Sequence, residues 1–369
     1  MEQQAKAPIK LHFALSLLLA CPFASAQDST AVSQPKPLTI SAYAEVYLAH
    51  DFDKPANGRR PDFLYNFDRH GRPSLNLGYA KASYTKGAVR ANLALAAGTY
   101  MESNYAAEPD ILGHLLEANL GVRLDRNGRW WLDAGVMPSH IGFESAVGKD
   151  DWTLTRSLVA ENSPYFETGV RLGYTTEKGD WQFAVLALNG WQRIHFRDGY
   201  TGVSIGTQAT YKPSDKVTLN HSAFFGTDTP DTARLFRQYH NIYGIFQLDP
   251  KLGLIAGVDI GWQQRSPNGK GMNAWASPVA ILRYSPKEKW AMAFRAEYYG
   301  DPDGVIVATG TPNGFRTRGM SLNVDYKPIR KMMLRVEGRL LRSRDAIFMK
   351  DGQAKNSNAS VAMSVAVSL

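Results

Sequence analysis

From residue 38 onward the chain alternates apolar and polar side chains with a period of two. Ile40, Ala42, Ala44, Val46 and Leu48 interleave with Ser41, Tyr43, Glu45 and Tyr47. Leu116, Leu120 and Val122 stand against Glu117, Asn119 and Arg123, and Val170 and Leu172 against Glu167 and Arg171. Trp290, Met292, Phe294 and Tyr298 stand against Arg295 and Glu297, and Leu334, Val336 and Leu340 against Arg335, Glu337 and Arg339. The chain closes on the same beat with Val361, Met363, Val365, Val367 and Leu369. Such alternation predicts strands with one apolar and one polar face.

The connections alternate too. Seven short turns, such as Lys86-Gly87, Arg126-Asn127-Gly128 and Lys212-Pro213-Ser214-Asp215, carry the residues that tight turns demand. Between them lie eight longer polar stretches at 51–73, 102–113, 139–164, 193–200, 228–238, 265–273, 301–315 and 343–356. Fifteen connections predict sixteen strands. The segment 74–85 fits least well, because Lys81 interrupts its apolar face. Strands of about ten residues with short turns at one end and long loops at the other predict an all-β fold, a transmembrane antiparallel up-and-down barrel. Its short turns would be periplasmic and its long loops extracellular. Tyr79, Trp130, Trp181, Tyr211, Trp262, Tyr284, Trp290, Tyr298 and Tyr326 are the expected interfacial aromatics.

Composition sharpens this. A mean hydropathy of −0.30 with 21% charged residues excludes a bundle of membrane-spanning helices but not alternating strands. The single cysteine, Cys21, excludes a disulfide framework. It lies in a segment that reads as an export signal over residues 1–26. Lys6 and Lys10 precede an apolar run from Leu11 to Phe23 and an Ala24-Ser25-Ala26 cleavage site. Lipidation at Cys21 is the alternative processing. Residues 27–37 read as a short flexible leader and residues 38–369 as one barrel domain. Removing the signal takes two of 42 basic and one of 34 acidic residues, so the formal charge falls by one from +8.

The polar beat faces the lumen of such a barrel, and it is charged with both signs. Glu45, Arg90, Glu117, Arg123, Asp133, Arg171, Asp259 and Asp325 belong to it, as do Arg295, Glu297, Arg335, Glu337 and Arg339. The last five form the expected basic wall of a constriction. Loop 139–164 is the expected inward-folded segment. Ile141, Phe143, Val147, Trp152, Leu154, Leu158 and Val159 would anchor it, and Glu144, Asp150, Asp151 and Glu161 would face an open path opposite that wall. Arg295, Arg335 and Arg339 motivate an expectation of weak anion selectivity.

Particular motifs carry a resemblance. Pro138-Ser139-His140-Ile141-Gly142-Phe143-Glu144-Ser145-Ala146, Trp152-Thr153-Leu154-Thr155-Arg156-Ser157 and Ala160-Glu161-Asn162-Ser163-Pro164-Tyr165 are among them. So are Leu188-Asn189-Gly190-Trp191-Gln192 and Ala308-Thr309-Gly310-Thr311-Pro312-Asn313-Gly314-Phe315. Over most of the chain from Leu38 the sequence resembles the OmpL-like β-barrel porin family of Gram-negative bacteria. The resemblance implies an outer-membrane location among membrane lipids and passive diffusion of small hydrophilic solutes and ions. It names no pore residues and no cofactor.

Other classes fare worse. Ser139 beside His140 suggests a nucleophile and base, but neighbours on an extended chain point apart. The scattered histidines lack metal-site spacing. No clustered Lys/Arg tract points to nucleic acid. These readings give no enzyme, no metal, no cofactor and no nucleic-acid partner. The rival is a non-conducting barrel serving as a surface adhesin or scaffold. A homotrimer is expected only by analogy with other sixteen-strand porins.

Overall fold

The computed structural model describes residues 36–196 and 198–369. The expected signal segment and nearly all of the leader lie outside them. The first half of the sheet is β1 (Leu38–Asp51), β2 (Ser74–Lys86), β3 (Val89–Ala97), β4 (Leu115–Arg123), β5 (Trp130–Pro138), β6 (Phe166–Thr175), β7 (Trp181–Leu188) and β8 (Ser204–Ser214). The second half is β9 (Val217–Thr227), β10 (Phe236–Gln247), β11 (Leu252–Gln264), β12 (Met272–Lys287), β13 (Trp290–Asp301), β14 (Phe315–Ile329), β15 (Met332–Ser343) and the closing β18 (Ser357–Ser368). A two-stranded hairpin, β16 (Phe348–Lys350) and β17 (Gln353–Lys355), stands in the last long loop outside the barrel. Every barrel strand pairs with its sequence neighbours, and β1 pairs with β18, so sixteen antiparallel strands close on themselves. Closure leaves no unpaired edge, which a sheet in lipid requires.

Register decides which face each side chain takes. In β13, Trp290, Met292, Phe294 and Tyr298 are exposed outward while Arg295 and Glu297 are buried inward. In β15, Val336 and Leu340 point outward while Arg335, Glu337 and Arg339 point inward. Both termini of the barrel sit at the short-turn end, where the Leu369 amide donates to the Ala42 carbonyl at 2.9 Å. At that same end, ring pairs Trp130–Tyr174, Trp181–Tyr211 and Trp290–Tyr326 meet at 4.6, 4.4 and 4.5 Å. They form an outward girdle at one rim of the apolar band.

Two expectations about β2 are corrected. It is a full strand of thirteen residues, and Lys81 does not break its outer face. Lys81 pairs in register with Ser41 and Ala94, so it lies on the inner beat and forms an ion pair with Glu117. Tyr79 lies on that same beat and stacks on inward Tyr43 at 5.7 Å, so it is not a girdle residue. The β1–β2 register shifts between Glu45 and Val46, an irregularity that alternation alone does not reveal. Short helices also sit in the loops: α1 (Thr99–Asn104) before β4 and α2 (Leu158–Glu161) before β6.

Candidate functional site

Loop 139–165 lies inside the barrel. Its neck is closed by the Ser139 amide on the Tyr165 carbonyl at 3.0 Å. Inward side chains of four strands then take up its backbone donors. Gly142 N donates to Asn241 Oδ1 at 3.1 Å, and Leu154 N to Asn323 Oδ1 at 3.1 Å. Thr155 N donates to Glu337 Oε2 at 2.5 Å, and Leu158 N to Glu297 Oε2 at 2.6 Å. A loop in this position needs such partners, because a buried amide without one is costly.

The loop also has an apolar seat. Ile245, Ile255, Val279 and Ile281 occupy inward positions of β10, β11 and β12, where a water-filled lumen would disfavour them; Phe143, Trp152 and Val159 cover them. Two glycines mark the close approaches. A Cβ at Gly206 would stand 2.8 Å from His140 Cε1, and one at Gly253 would stand 2.6 Å from Trp152 Cη2.

The expected basic wall is the loop's clamp. Arg295 is fully buried and donates to Thr153 Oγ1 at 3.0 Å, the Thr155 carbonyl at 2.6 Å, Thr155 Oγ1 at 2.9 Å and Glu337 Oε1 at 2.9 Å. Arg335 bonds Asp325 Oδ1 at 2.7 Å and the carbonyls of Gly148 and Asp151 at 2.6 and 2.9 Å. Arg339 Nη2 meets Glu297 Oε1 at 2.7 Å. None of these five side chains borders an open path. Period two tells which face a residue takes, but not whether another segment covers that face.

Of the loop carboxylates, Asp151 and Glu161 are corrected in the same way, whereas Glu144 borders a cavity inside the barrel. Glu144 accepts from Ser157 N at 3.1 Å. Asp151 faces Arg156 Nε at 3.2 Å and accepts from Ser145 N at 2.7 Å. Glu161 Oε2 accepts from Tyr65 N at 2.8 Å and Asn66 N at 3.1 Å, both in loop 52–73. Of the four, only Asp150 is exposed, beside Lys149 at 3.1 Å. Burial pushes both Asp151 and Glu161 up to about 7, against the pull of Arg156 on the first and of the Asn66 side chain on the second.

Ser139 and His140 do not point apart. The chain turns there, and Ser139 Oγ and His140 Nδ1 both reach Glu167 Oε2, at 3.4 and 2.8 Å. His140 Nε2 lies 2.9 Å from the Ala223 carbonyl. Burial pushes the His140 pKa down, but Glu167 and that carbonyl outweigh it and raise it. Both partners are acceptors, so each ring nitrogen faces one and the imidazole pins the loop to β6 and β9.

Open space lies on the other side of the loop. A cavity of about 350 Å³ is lined by Tyr79, Lys81, Tyr100, Tyr105 and Phe143. A second, of about 360 Å³, is lined by Arg90, Asn92, Asn119, Asp133, Arg171 and Gln208. The two share Glu117, Pro138 and Ser139. Here Arg90 Nε meets Asp133 Oδ1 at 2.6 Å, and Arg171 Nη2 meets Gln208 Oε1 at 3.2 Å. Toward the long-loop end, a vestibule of about 1020 Å³ lies among loops 52–73, 302–314 and 344–356. Tyr65 lines the vestibule and Tyr165 the inner cavity. Between them Asn66 Nδ2 reaches both Glu161 Oε2 at 3.0 Å and Tyr165 Oη at 3.4 Å, forming a partition.

Alternation places Arg90, Glu117, Asp133 and Arg171 on the lumen side without singling them out as the wet wall. A signal was present: the inner beat of β3–β6 carries Arg90, Asn92, Glu117, Asn119, Asp133 and Arg171, whereas one stretch of β10–β12 carries Ile245, Ile255, Val279 and Ile281 there. Apolar residues on the beat that faces the lumen mark the covered side.

Comparison with known proteins agrees with this geometry. The barrel is similar to an anion-selective porin from Comamonas acidovorans (TM-score 0.60, 10% identity, covering 90% of this chain and 99% of that one). It is similar to the outer membrane channel DcaP of Acinetobacter baumannii (TM-score 0.57, 11% identity, 90% and 97% covered). It is also similar to the trimer form of OmpT from Vibrio cholerae (TM-score 0.56, 9% identity, 90% and 99% covered). No curated protein matches the sequence. The family model described as "Putative beta-barrel porin-2, OmpL-like" matches residues 37–369, so the chain belongs to this family of outer-membrane porins.

Proposed function

We propose that the protein passes small hydrophilic solutes and ions down their gradients, without energy input, along the side of the lumen that loop 139–165 leaves free. The carrying observation is asymmetry. One part of the inner wall, an apolar patch on β10–β12 beside the paired charges of β13–β15, is clamped under the loop, and the other is polar and borders cavities. Sidedness follows from outer-membrane location, with the short turns and both termini periplasmic and the vestibule facing outward.

Ion preference is reassigned. Arg295, Arg335 and Arg339 are matched by Glu297, Glu337 and Asp325, so they give little net field to a permeating ion. The wet wall carries Lys81, Arg90 and Arg171 against Glu117 and Asp133, and among the described residues Arg171 has no carboxylate partner within 4.0 Å. A weak anion preference rests on these three cations. The protein is non-enzymatic and assembles as a homotrimer, the form in which the similar Vibrio cholerae barrel is described.

Planar-bilayer recording of purified protein tests the channel. Discrete conductance steps with a reversal potential on the anion side are expected. Folded protein that never conducts would instead favour the surface adhesin or scaffold. Mass measurement in mild detergent checks the trimer, and a monomer would refute it.

A further inference from the structure

The floor of the outer vestibule holds buried polar atoms of both signs that have no partner in the protein. Arg60, in loop 52–73, is 2% exposed. Its Nη1 reaches the Phe67 carbonyl at 3.3 Å and its Nη2 reaches Ser360 Oγ at 2.9 Å, both neutral acceptors. Its Nε has no partner, and among the described residues it makes no ion pair within 4.0 Å. Ser360 pairs in register with Arg339 on one side and Asp51 on the other. Arg339 spends its Nε and Nη2 on Glu297 and leaves Nη1 unpartnered. Asp51 Oδ1 accepts from Asp53 N at 3.0 Å and Asn358 Nδ2 at 2.8 Å, while Oδ2 and Asn358 Oδ1 are unpartnered. Arg60, Asp51 and Asn358 all line the vestibule.

The neighbouring buried charges have partners. Asp53 is held by Lys355 at 3.1 Å. Glu297 and Glu337 are held by Arg339 and Arg295. Arg59 faces Asp68 at 3.3 Å. Glu161 is taken up by the amides of Tyr65 and Asn66. Among the buried charges that line the vestibule, one cation, Arg60, and one anion, Asp51, remain without an ion-pair partner; Lys54, Asp62 and Asp351 also line it but are exposed to water. Burying a guanidinium or carboxylate without a counter-charge is expensive, so the arrangement calls for a species bearing both signs. A plain anion would satisfy the free Arg60 donor but would stand against Asp51, and a plain cation would stand against Arg60.

We propose that this floor is a recognition site for a zwitterionic solute, an α-amino acid. Its carboxylate is taken by Arg60 Nε, and its ammonium by Asp51 Oδ2 and Asn358 Oδ1. The inference rests on the solute-channel reading and supplies its substrate class. The site lies on the outer side of the Asn66–Glu161 partition, where an incoming solute meets the barrel first.

Titration calorimetry on the full, detergent-solubilised protein tests it with three probes at neutral pH: glycine, acetate and methylammonium. Glycine is expected to bind saturably and about tenfold or more tighter than either half-molecule, since each half forfeits a set of charge-assisted hydrogen bonds. Arg60→Gln should bring glycine down to the methylammonium level, and Asp51→Asn to the acetate level. The wild-type comparison needs no variant and therefore stands even if a variant misfolds. Acetate binding as tightly as glycine, or no saturable glycine binding, overturns the proposal. Bilayer recording separates the two readings. Conductance without glycine binding removes this site and leaves the channel; glycine binding without conductance supports the site and removes the channel.

Discussion

Replacing Arg295 with Met tests whether the buried arginines hold loop 139–165 in place. Three of the four hydrogen bonds from the two terminal nitrogens of Arg295 go to the loop, at 2.6 to 3.0 Å, and the fourth goes to Glu337. Met keeps much of the volume and removes the cation. The thrice-held loop segment loses its donors, and Glu297 and Glu337 lose a shared counter-charge. Breaking a buried pair from one side costs about 3–5 kcal/mol, part of which falls on the wall itself. With about 3 kcal/mol assigned to the loop, its docked-to-released ratio falls about 150-fold. The barrel should survive, because the substitution changes only the side chain and leaves the backbone pairing of position 295 with Ile281 and Ser321 in the closed ladder. Single-channel recording of folded variant should show longer and larger open steps than wild type. Arg295→Lys, which keeps the charge but loses the planar fork, should lie between them. An Arg295→Met barrel that migrates as folded protein yet gives wild-type steps and dwell times would refute the clamp.

Other outcomes follow from the same geometry. Gly206→Val keeps a strand-favouring residue but places its side chain where His140 lies, so it should also enlarge open steps while heat-modified gel migration stays normal. Lys81→Gln with Arg90→Gln should move the reversal potential toward cations, because Glu117 and Asp133 then stand uncompensated; Arg335→Gln with Arg339→Gln should move it less. Glu161 gives the partition a pH dependence. Its carboxyl rises from an ordinary 4.5 to about 7 when docked, so between these values the docked form holds a proton that a released loop lacks. Docking is then favoured at acid pH and weakens as pH rises through 7, by at most about tenfold per pH unit. Open probability should increase from pH 6 to 8, and Glu161→Gln should flatten the part of that rise due to Glu161 while leaving that of Asp151.

Much of the barrel was legible because lipid and water impose period two on every strand. The outward residues of β13, β15 and β18 follow that rule apart from the Arg342–Ser357 pair at the long-loop end, and the turn chemistry counts the strands. Errors arose where a local register shift or a long-range contact intervened. Lys81 looked like a break in an apolar face because its phase was misassigned; pairing with Ser41 and Ala94 puts it in the lumen. Arg295 and Arg335 read as pore-lining because their beat faces inward. Their actual surroundings, Thr153, Thr155, Gly148 and Asp151, lie 140 or more residues away in the chain.

Sequence alone determined the strands, their faces, the sixteen-fold count and the identity of the loop with enough apolar residues to leave solvent. These follow from local chemistry: alternation, turn residues and burial preference act within a few positions. Which half of the wall the loop covers was decided only by tertiary structure. It required an apolar seat from Ile245, Ile255, Val279 and Ile281 and a ring of inward acceptors from four strands, brought together by closure of the sheet. That choice turns one set of charges into a clamp, leaves another to face solute, and places Arg60 beside the rung of Arg339, Ser360 and Asp51.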